Sequence, residues 1–143
     1  MTIEYRDNNL TSREYNILRQ SVGWSVPDYL SSNKAIDNSL YTCSAYCHGV
    51  VIGGGRIVGD DILAFCIMDV MVHPEYQGRF GIGKTIMHRL LNYIKNNAKK
   101  EADIYCMSAK GREDFYIKLG FIKRPTSLLG AGMVLPYEVL QLI

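Results

Sequence analysis

Apolar positions along the chain switch between a period of two and a period near 3.6, and each switch marks an element. Ile3 and Tyr5 share one face of a short strand, Thr2–Arg6. Thr11-Ser12-Arg13-Glu14 has the spacing of a capping box, in which Thr11 and Glu14 each satisfy the other's free backbone N–H. Tyr15, Leu18 and Val22 then recur at helical spacing until Gly23 stops the run. A second short helix is predicted from about Ser25, with Pro27 in its first turn. From Leu40 the period is two. Leu40–Cys47, Val50–Val58 and Ile62–His73 are extended runs joined by His48-Gly49 and Gly59-Asp60-Asp61, connections short enough to require antiparallel neighbours. Gly53, Gly54 and Gly55 weaken the middle run and leave room for a bulge or a close backbone approach.

A glycine-rich stretch, 78–83, precedes an amphipathic helix in which Ile82, Ile86, Leu90 and Ile94 step by four. Ile104–Ser108 reads as a strand and Arg112–Leu119 as a short helix, stopped by Gly120 in a left-handed cap. Phe121–Lys123 and Met133–Leu135 are predicted as final strands, and the nine residues 126–134 also suit a subunit contact. An antiparallel meander followed by a βαβ-like step implies an α/β (α+β) fold. Its sheet is mixed and mostly antiparallel, with six to seven strands and about four flanking helices.

Composition narrows the class. The 143 residues are 48% hydrophobic and 21% charged, ordinary values for a globular chain and unlike a disordered one. One domain, 1–143, is expected, large enough to build a core without metals or disulfides. The longest apolar run, Ile62–Met68, is seven residues, against about 20 for a membrane-spanning helix, so no membrane partner is expected. Glu4, Arg6 and Asp7 stand where a secretory signal would be apolar, which points to the cytoplasm. The net charge of +2 is too small to suggest nucleic acid, and Lys95, Lys99 and Lys100 lie at a helix end, where cations complement the dipole. Cys43, Cys47, Cys66 and Cys106 form no CxxC pair; Cys43 and Cys47 read as small buried apolar residues, and no metal is expected.

The chemistry concentrates between positions 77 and 84. Gly78, Gly81 and Gly83, with Arg79 and Lys84, stand where a loop enters a helix. Glycine lets the backbone approach an anion, and the free N–H groups of the first helical turn point at it. A tight connection with no ligand is the plainer reading; three glycines among six residues plus two cations favour the anion site. Gly78 to Thr85 also satisfies GxxxxGK[ST], but no strand runs directly into this loop and Ile104–Ser108 ends without a magnesium-binding Asp, so a nucleotide triphosphatase is disfavoured.

The segment Asp69-Val70-Met71-Val72-His73-Pro74-Glu75-Tyr76-Gln77-Gly78-Arg79-Phe80-Gly81-Ile82-Gly83-Lys84 resembles the acetyl-coenzyme A signature of the GNAT superfamily of N-acetyltransferases, [RQ]xxGx[GA] after a long strand. Phe115-Tyr116-Ile117-Lys118-Leu119-Gly120-Phe121 resembles the family's late FYxKxGF segment, and the order of elements fits over essentially the whole chain. One departure stands out. Gln77 lies one place too early, so either Phe80 is a one-residue insertion or Gly78 takes the first glycine's place.

The resemblance implies acetyl transfer from acetyl-CoA to a primary amine, of a small molecule or of a protein, by a monomer or homodimer. A non-catalytic coenzyme A sensor is the competing reading. It implies that Gln77, Gly78, Arg79, Gly81, Ile82, Gly83 and Lys84 hold the cofactor diphosphate, and that the backbone of Met71 and Val72 pairs with the pantetheine arm. A backbone N–H near Val70 or Met71 would stabilise the oxyanion. Tyr116 sits where the family places its general acid, although Phe115, Tyr116 and Leu119 also form a packing stripe. Asp69, an acid inside an apolar strand, is a base, an amine-binding group or a structural carboxylate. His73 and Glu75 are further base candidates, His73 also fitting a strand cap. Trp24 and Tyr29 are candidate walls of the acceptor pocket, Trp24 fitting the core equally well.

Overall fold

The structure, a computed structural model, describes residues 1–143 and contains one five-stranded sheet with strand order β1-β2-β3-β4-β5. The strands are β1 (Ile3–Asp7), β2 (Tyr41–Cys47), β3 (Val50–Gly59), β4 (Ala64–Val72) and β5 (Asp103–Cys106). The first four are antiparallel neighbours, and β5 runs parallel to β4. Five helices accompany them: α1 (Ser12–Ser21), α2 (Tyr29–Asp37), α3 (Ile82–Asn97), α4 (Glu113–Lys118) and α5 (Tyr137–Leu140).

Local chemistry sets most boundaries. The capping box at Thr11 and Glu14 forms as the spacing requires. His48 and Gly49 both take positive φ, 50° and 75°, the geometry of a two-residue hairpin turn matched to strand twist. α2 begins after Asp28 rather than near Ser25, because the Asp28 carboxylate accepts from the Ser31 N–H and caps the helix there. β4 begins at Ala64 rather than Ile62. The Asp60 carboxylate gathers the N–H groups of Ile62, Leu63 and Ala64, which holds the first two in the turn.

The chain divides into two units, Met1–Met107 and Ser108–Ile143. In the first, α3 packs across β2, β3 and β4 through Ile82, Ile86, Met87, Leu90 and Ile94, all buried. α1 covers β3 and β4 on the other face, where Leu10, Tyr15, Leu18, Tyr46, Val51 and Met71 form a core cluster. The glycines of β3 permit both approaches. A methyl group on Gly53 would lie 3.0 Å from Ile86 Cδ1 and 3.1 Å from the Met71 carbonyl oxygen; on Gly54 it would lie 3.2 Å from Leu18 Cδ1.

In the second unit α4 ends in a Schellman motif: Gly120, at φ 103°, donates to Ile117, and Phe121 donates to Tyr116. The two strands predicted at Phe121–Lys123 and Met133–Leu135 do not form, which leaves five strands rather than six or seven. Between them the chain closes on itself in a turn, Thr126 N–H to the Leu129 carbonyl and Arg124 Nε to the Gly130 carbonyl, and no neighbouring strand pairs with either segment.

Candidate active site

β4 is paired along both edges only at its start. β5 accompanies it from Ala64 to Ile67, and from Met68 to Val72 that side of β4 has no strand beside it. The ladder with β3 decides which backbone groups face the open side. His73 N–H donates to the Ile52 carbonyl at 2.8 Å, making that a hydrogen-bonded pair, and the register continues through Gly53↔Val72 and Gly54↔Met71. Alternation therefore turns the N–H and C=O of Met71 toward Gly54 and those of Val72 toward the open side. The Met71 side chain is buried in the α1 layer.

A bulge interrupts this ladder. Gly55 stands opposite both Asp69 and Val70, and Asp69 takes φ 56°, an uncommon left-handed conformation that Asp tolerates better than most residues. The Asp69 carboxylate is heavily engaged. Oδ2 accepts from Tyr15 Oη at 2.7 Å and from Arg56 Nε at 2.8 Å, and Oδ1 lies 3.4 Å from Arg19 Nη1. The three charged side chains are only 10–18% exposed. Burial, reinforced by the bond to Asp69, pushes the Tyr15 hydroxyl above its ordinary pKa. Arg56 also reaches Ser39 Oγ and the Ala35 carbonyl, while Arg19 binds the Ser25 carbonyl and lies 5.7 Å from the centre of the Trp24 ring. Asp69, placed by sequence among base candidates, thus sits at the centre of a cluster drawn from α1, β3 and β4.

Beyond β4, His73 Nδ1 accepts from the Glu75 N–H and caps a single 3-10 turn, Pro74–Tyr76. Gln77 Nε2 donates to the Val72 carbonyl at 2.8 Å, which fastens the loop to the strand end and leaves the Val72 N–H facing the open edge. Gly78, Phe80 and Gly81 all have positive φ, near 60–71°. Phe80 is exposed and its backbone left-handed, and Gly81 is the N-cap of α3. No side chain caps this helix. Its first internal bond is Thr85 N–H to the Gly81 carbonyl, so the N–H groups of Ile82, Gly83 and Lys84 have no partner within the helix. The Ile82 side chain is buried, so only its amide is available; Arg79 and Lys84 are exposed. A methyl at Gly78 or Gly81 would meet nothing within 4 Å. Amides, cations and open space together fit a diphosphate.

Tyr29 opens α2 and lines a hollow of about 340 Å³ with Arg13, Asn16, Gln20, Val26 and Asp28; Trp24 is not part of that lining. Tyr116 lies on α4, edge-on to both Phe115 and Phe121. Sequence reasoning missed Tyr15, Arg19 and Arg56. Arg56 directly after three glycines in an apolar run was the one available signal.

The sequence profile of the family described as "Acetyltransferase (GNAT) domain" matches residues 38–123. An uncharacterized N-acetyltransferase, ycf52-like, of Prochlorococcus marinus is 34% identical over 116 residues, covering 78% of this chain; the chain spans 63% of that relative's length. The uncharacterized N-acetyltransferase ycf52 of Pyropia yezoensis is 30% identical over 141 residues, covering 90% of this chain and 78% of the relative. Among solved structures, a "Probable Acetyltransferase" of unknown function from meticillin-resistant Staphylococcus aureus superposes with a TM-score of 0.84 at 29% identity, covering 95% of this chain and 100% of that one.

Proposed function

The chain belongs to the GNAT acetyltransferases, and we propose that it transfers an acetyl group from acetyl-CoA to a primary amine of a small molecule. One observation carries this reading: the open side of β4 from Met68 to Val72 leads, through a loop fastened by Gln77, to the uncapped N-terminus of α3. The amides of Ile82, Gly83 and Lys84, with the side chains of Arg79 and Lys84, hold the diphosphate. The Val72 N–H pairs with the pantetheine arm as an added strand would; Met71, expected to share that role, has its backbone turned to β3 and makes no such pair.

When bound, acetyl-CoA supplies a thioester whose carbonyl carbon an amine attacks. The C–N bond forms as the C–S bond breaks, the amine gives up a proton to water, and the sulfur takes one from Tyr116. A backbone N–H near Val70, at the bulge, is assigned the charge developing on the carbonyl oxygen, where such a donor is worth about 10²–10³ in rate. Asp69 acts here as a positioning residue, since both its oxygens already accept hydrogen bonds and its contacts fix the bulge. His73 presents no free basic nitrogen on Nδ1, which the Glu75 N–H occupies.

The test is to follow free thiol release from acetyl-CoA across a panel of small amines and peptide N-termini. Release with a small amine, reduced in Tyr116→Phe at unchanged cofactor affinity, is expected. Cofactor binding without release for any amine would make the chain a sensor, and an unchanged rate in Tyr116→Phe would remove Tyr116 from the chemistry.

A further inference from the structure

α1 ends in a Schellman motif that sets Arg19 against the only tryptophan of the chain. Gly23, at φ 81°, donates to the Gln20 carbonyl, and Trp24 N–H donates to the Arg19 carbonyl at 2.9 Å. The returning chain offers the Ser25 carbonyl to Arg19 Nε at 2.6 Å and brings the Trp24 ring 5.7 Å from the guanidinium carbon. Tyr15, one turn earlier on the same helix face, lies 5.5 Å from that carbon, and its hydroxyl accepts from Nη1 at 3.0 Å. Two aromatic rings thus lie within reach of one planar guanidinium, a setting that suits arginine.

The charges around Arg19 do not balance. Arg19 and Arg56 are both part-buried, and Asp69 is the one carboxylate within 4 Å of either. Asp69 gives its short contacts to Arg56 Nε, at 2.8 Å, and Tyr15 Oη, at 2.7 Å, and stands 3.4 Å from Arg19 Nη1. Burial keeps the Tyr15 hydroxyl protonated, so it adds no second negative charge. One positive charge is left over, and it falls on Arg19, whose sole ion pair is the long one. A part-buried charge short of a counter-ion is costly. The donors are in surplus as well. A guanidinium carries five N–H groups; Arg19 spends those of Nε and Nη1 on Ser25, Tyr15 and Asp69, and Nη2 makes no hydrogen bond within the chain. Ser44 Oγ is the one enclosed side-chain polar atom without a partner, so Nη2 reaches solvent. All of these residues belong to Met1–Met107.

We propose that Arg19 binds a carboxylate carried by the acceptor amine, which makes the substrate an amino acid rather than a plain amine; this rests on the transferase reading. Carboxylate rather than phosphate follows from the charge count. A monoanion cancels the single surplus charge, whereas a dianion would replace it with a surplus of the other sign. The planar carboxylate also matches the free Nη2 end of a planar guanidinium. Through Asp69, Arg19 stands one ion pair from the β4 bulge, where the thioester carbonyl is assigned. A side chain that merely stapled the end of α1 would need neither the surplus charge nor the unused donors.

Trp24, as the only tryptophan, reports on this site directly. Its fluorescence is followed in the full chain, without acetyl-CoA, against free amino acids, their methyl esters and the matching decarboxylated amines. A saturable change with a free amino acid is expected, with affinity lower by about 10–150-fold for its ester, the worth of one charge-assisted hydrogen bond. Arg19→Gln should bring the acid down to the ester's level and leave the ester unchanged, and Arg19→Lys should restore part of the difference. A loss equal for acid and ester makes Arg19 a staple and overturns the proposal. Equal binding of acid, ester and amine by the parent chain overturns it too, as does no response to any amino acid. Inorganic phosphate competing more tightly than acetate overturns the choice of carboxylate. Should Arg19→Gln fail to fold, the acid-to-ester ratio of the parent chain decides. Thiol release with acetyl-CoA present separates the site from the transferase reading: acid preferred over ester with no release keeps the site and refutes transfer, whereas release without that preference refutes the site alone.

Discussion

Replacing Asp69 separates a positioning carboxylate from a catalytic base, and the two roles predict opposite patterns. In Asp69→Ala the Arg56 and Arg19 guanidiniums, 13% and 18% exposed, lose their only carboxylate. Removing one partner of a buried ion pair costs about 3–5 kcal/mol. Placing alanine at φ 56° adds about 1–2 kcal/mol of left-handed strain. Both arginines keep other acceptors, Ser25 and Tyr15 for Arg19, Ser39 and Ala35 for Arg56, so the loss should fall near the lower end of the sum, about 4–5 kcal/mol in total. Asp69→Asn keeps the tolerance for positive φ but turns charge-assisted bonds into neutral ones. One of its two ends becomes a donor facing donors, for an expected loss of about 2 kcal/mol.

Urea unfolding reads these values directly, and melting should fall by about 6–8 °C in Asp69→Asn and more in Asp69→Ala. On the same samples, kcat against pH well below the melting point reads the chemistry. A positioning residue leaves the acid limb of the profile in place while lowering kcat, because the bulge that aims the β4 amides loosens. A general base would do the reverse: stability untouched, kcat down by about 10²–10⁴, and the acid limb gone. An Asp69→Asn variant within about 0.5 kcal/mol of the parent in stability would sink the positioning argument.

Three further outcomes follow from the packing and the loop. Gly53→Ala should cost about 1–3 kcal/mol in urea unfolding, since its methyl meets a backbone carbonyl as well as Ile86 and Ile82 and only the side chains can yield; a neutral result would mean that α3 moves freely over β3. Stability should fall as pH rises from about 9 to about 11, a window in which unfolded thiols ionise while burial holds Cys43 and Cys106 protonated up to about 11. The folded state then binds more protons than the unfolded one, so the slope is negative; a flat urea midpoint across that range contradicts it. Gly81→Ala, with open space around its methyl but φ 60° at the helix cap, should lose about 1–2 kcal/mol to strain and bind acetyl-CoA more weakly by calorimetry, and unchanged affinity would argue against that amide geometry.

What the sequence disclosed was whatever a few neighbouring residues decide. The capping box at Thr11, the His48-Gly49 turn, the four-step stripe of α3 and the Gly120 stop are each settled within one turn of chain, and the structure has all four. The position of α2 was open to the same reasoning, since Asp28 after Pro27 is a better cap than Ser25. The two last strands were not legible in this way, because a strand exists only beside a neighbour and local apolar content cannot supply one.

The Asp69 cluster shows where local reasoning ends. Pairing puts residues of β3 and β4 on a common face, and the methyl positions of Gly53 and Gly55 identify the odd-numbered β3 residues from Gly53 onward with the α3 side. Ile57 and Gly59 carry Ile67 and Phe65 to that same side. Unbroken alternation would send Asp69 after them, into an apolar layer with no partner for a carboxylate. The left-handed residue resets the parity, bringing Asp69 beside Arg56, Arg19 and Tyr15 and returning Met71 to the α1 layer. A charged residue at an inward position of an apolar strand is thus itself a sign that alternation fails there. In this fold the failure falls on the stretch of β4 whose backbone faces the open side, so the carboxylate that the sequence left open as base, amine-binding group or structural group stands at the break in the ladder.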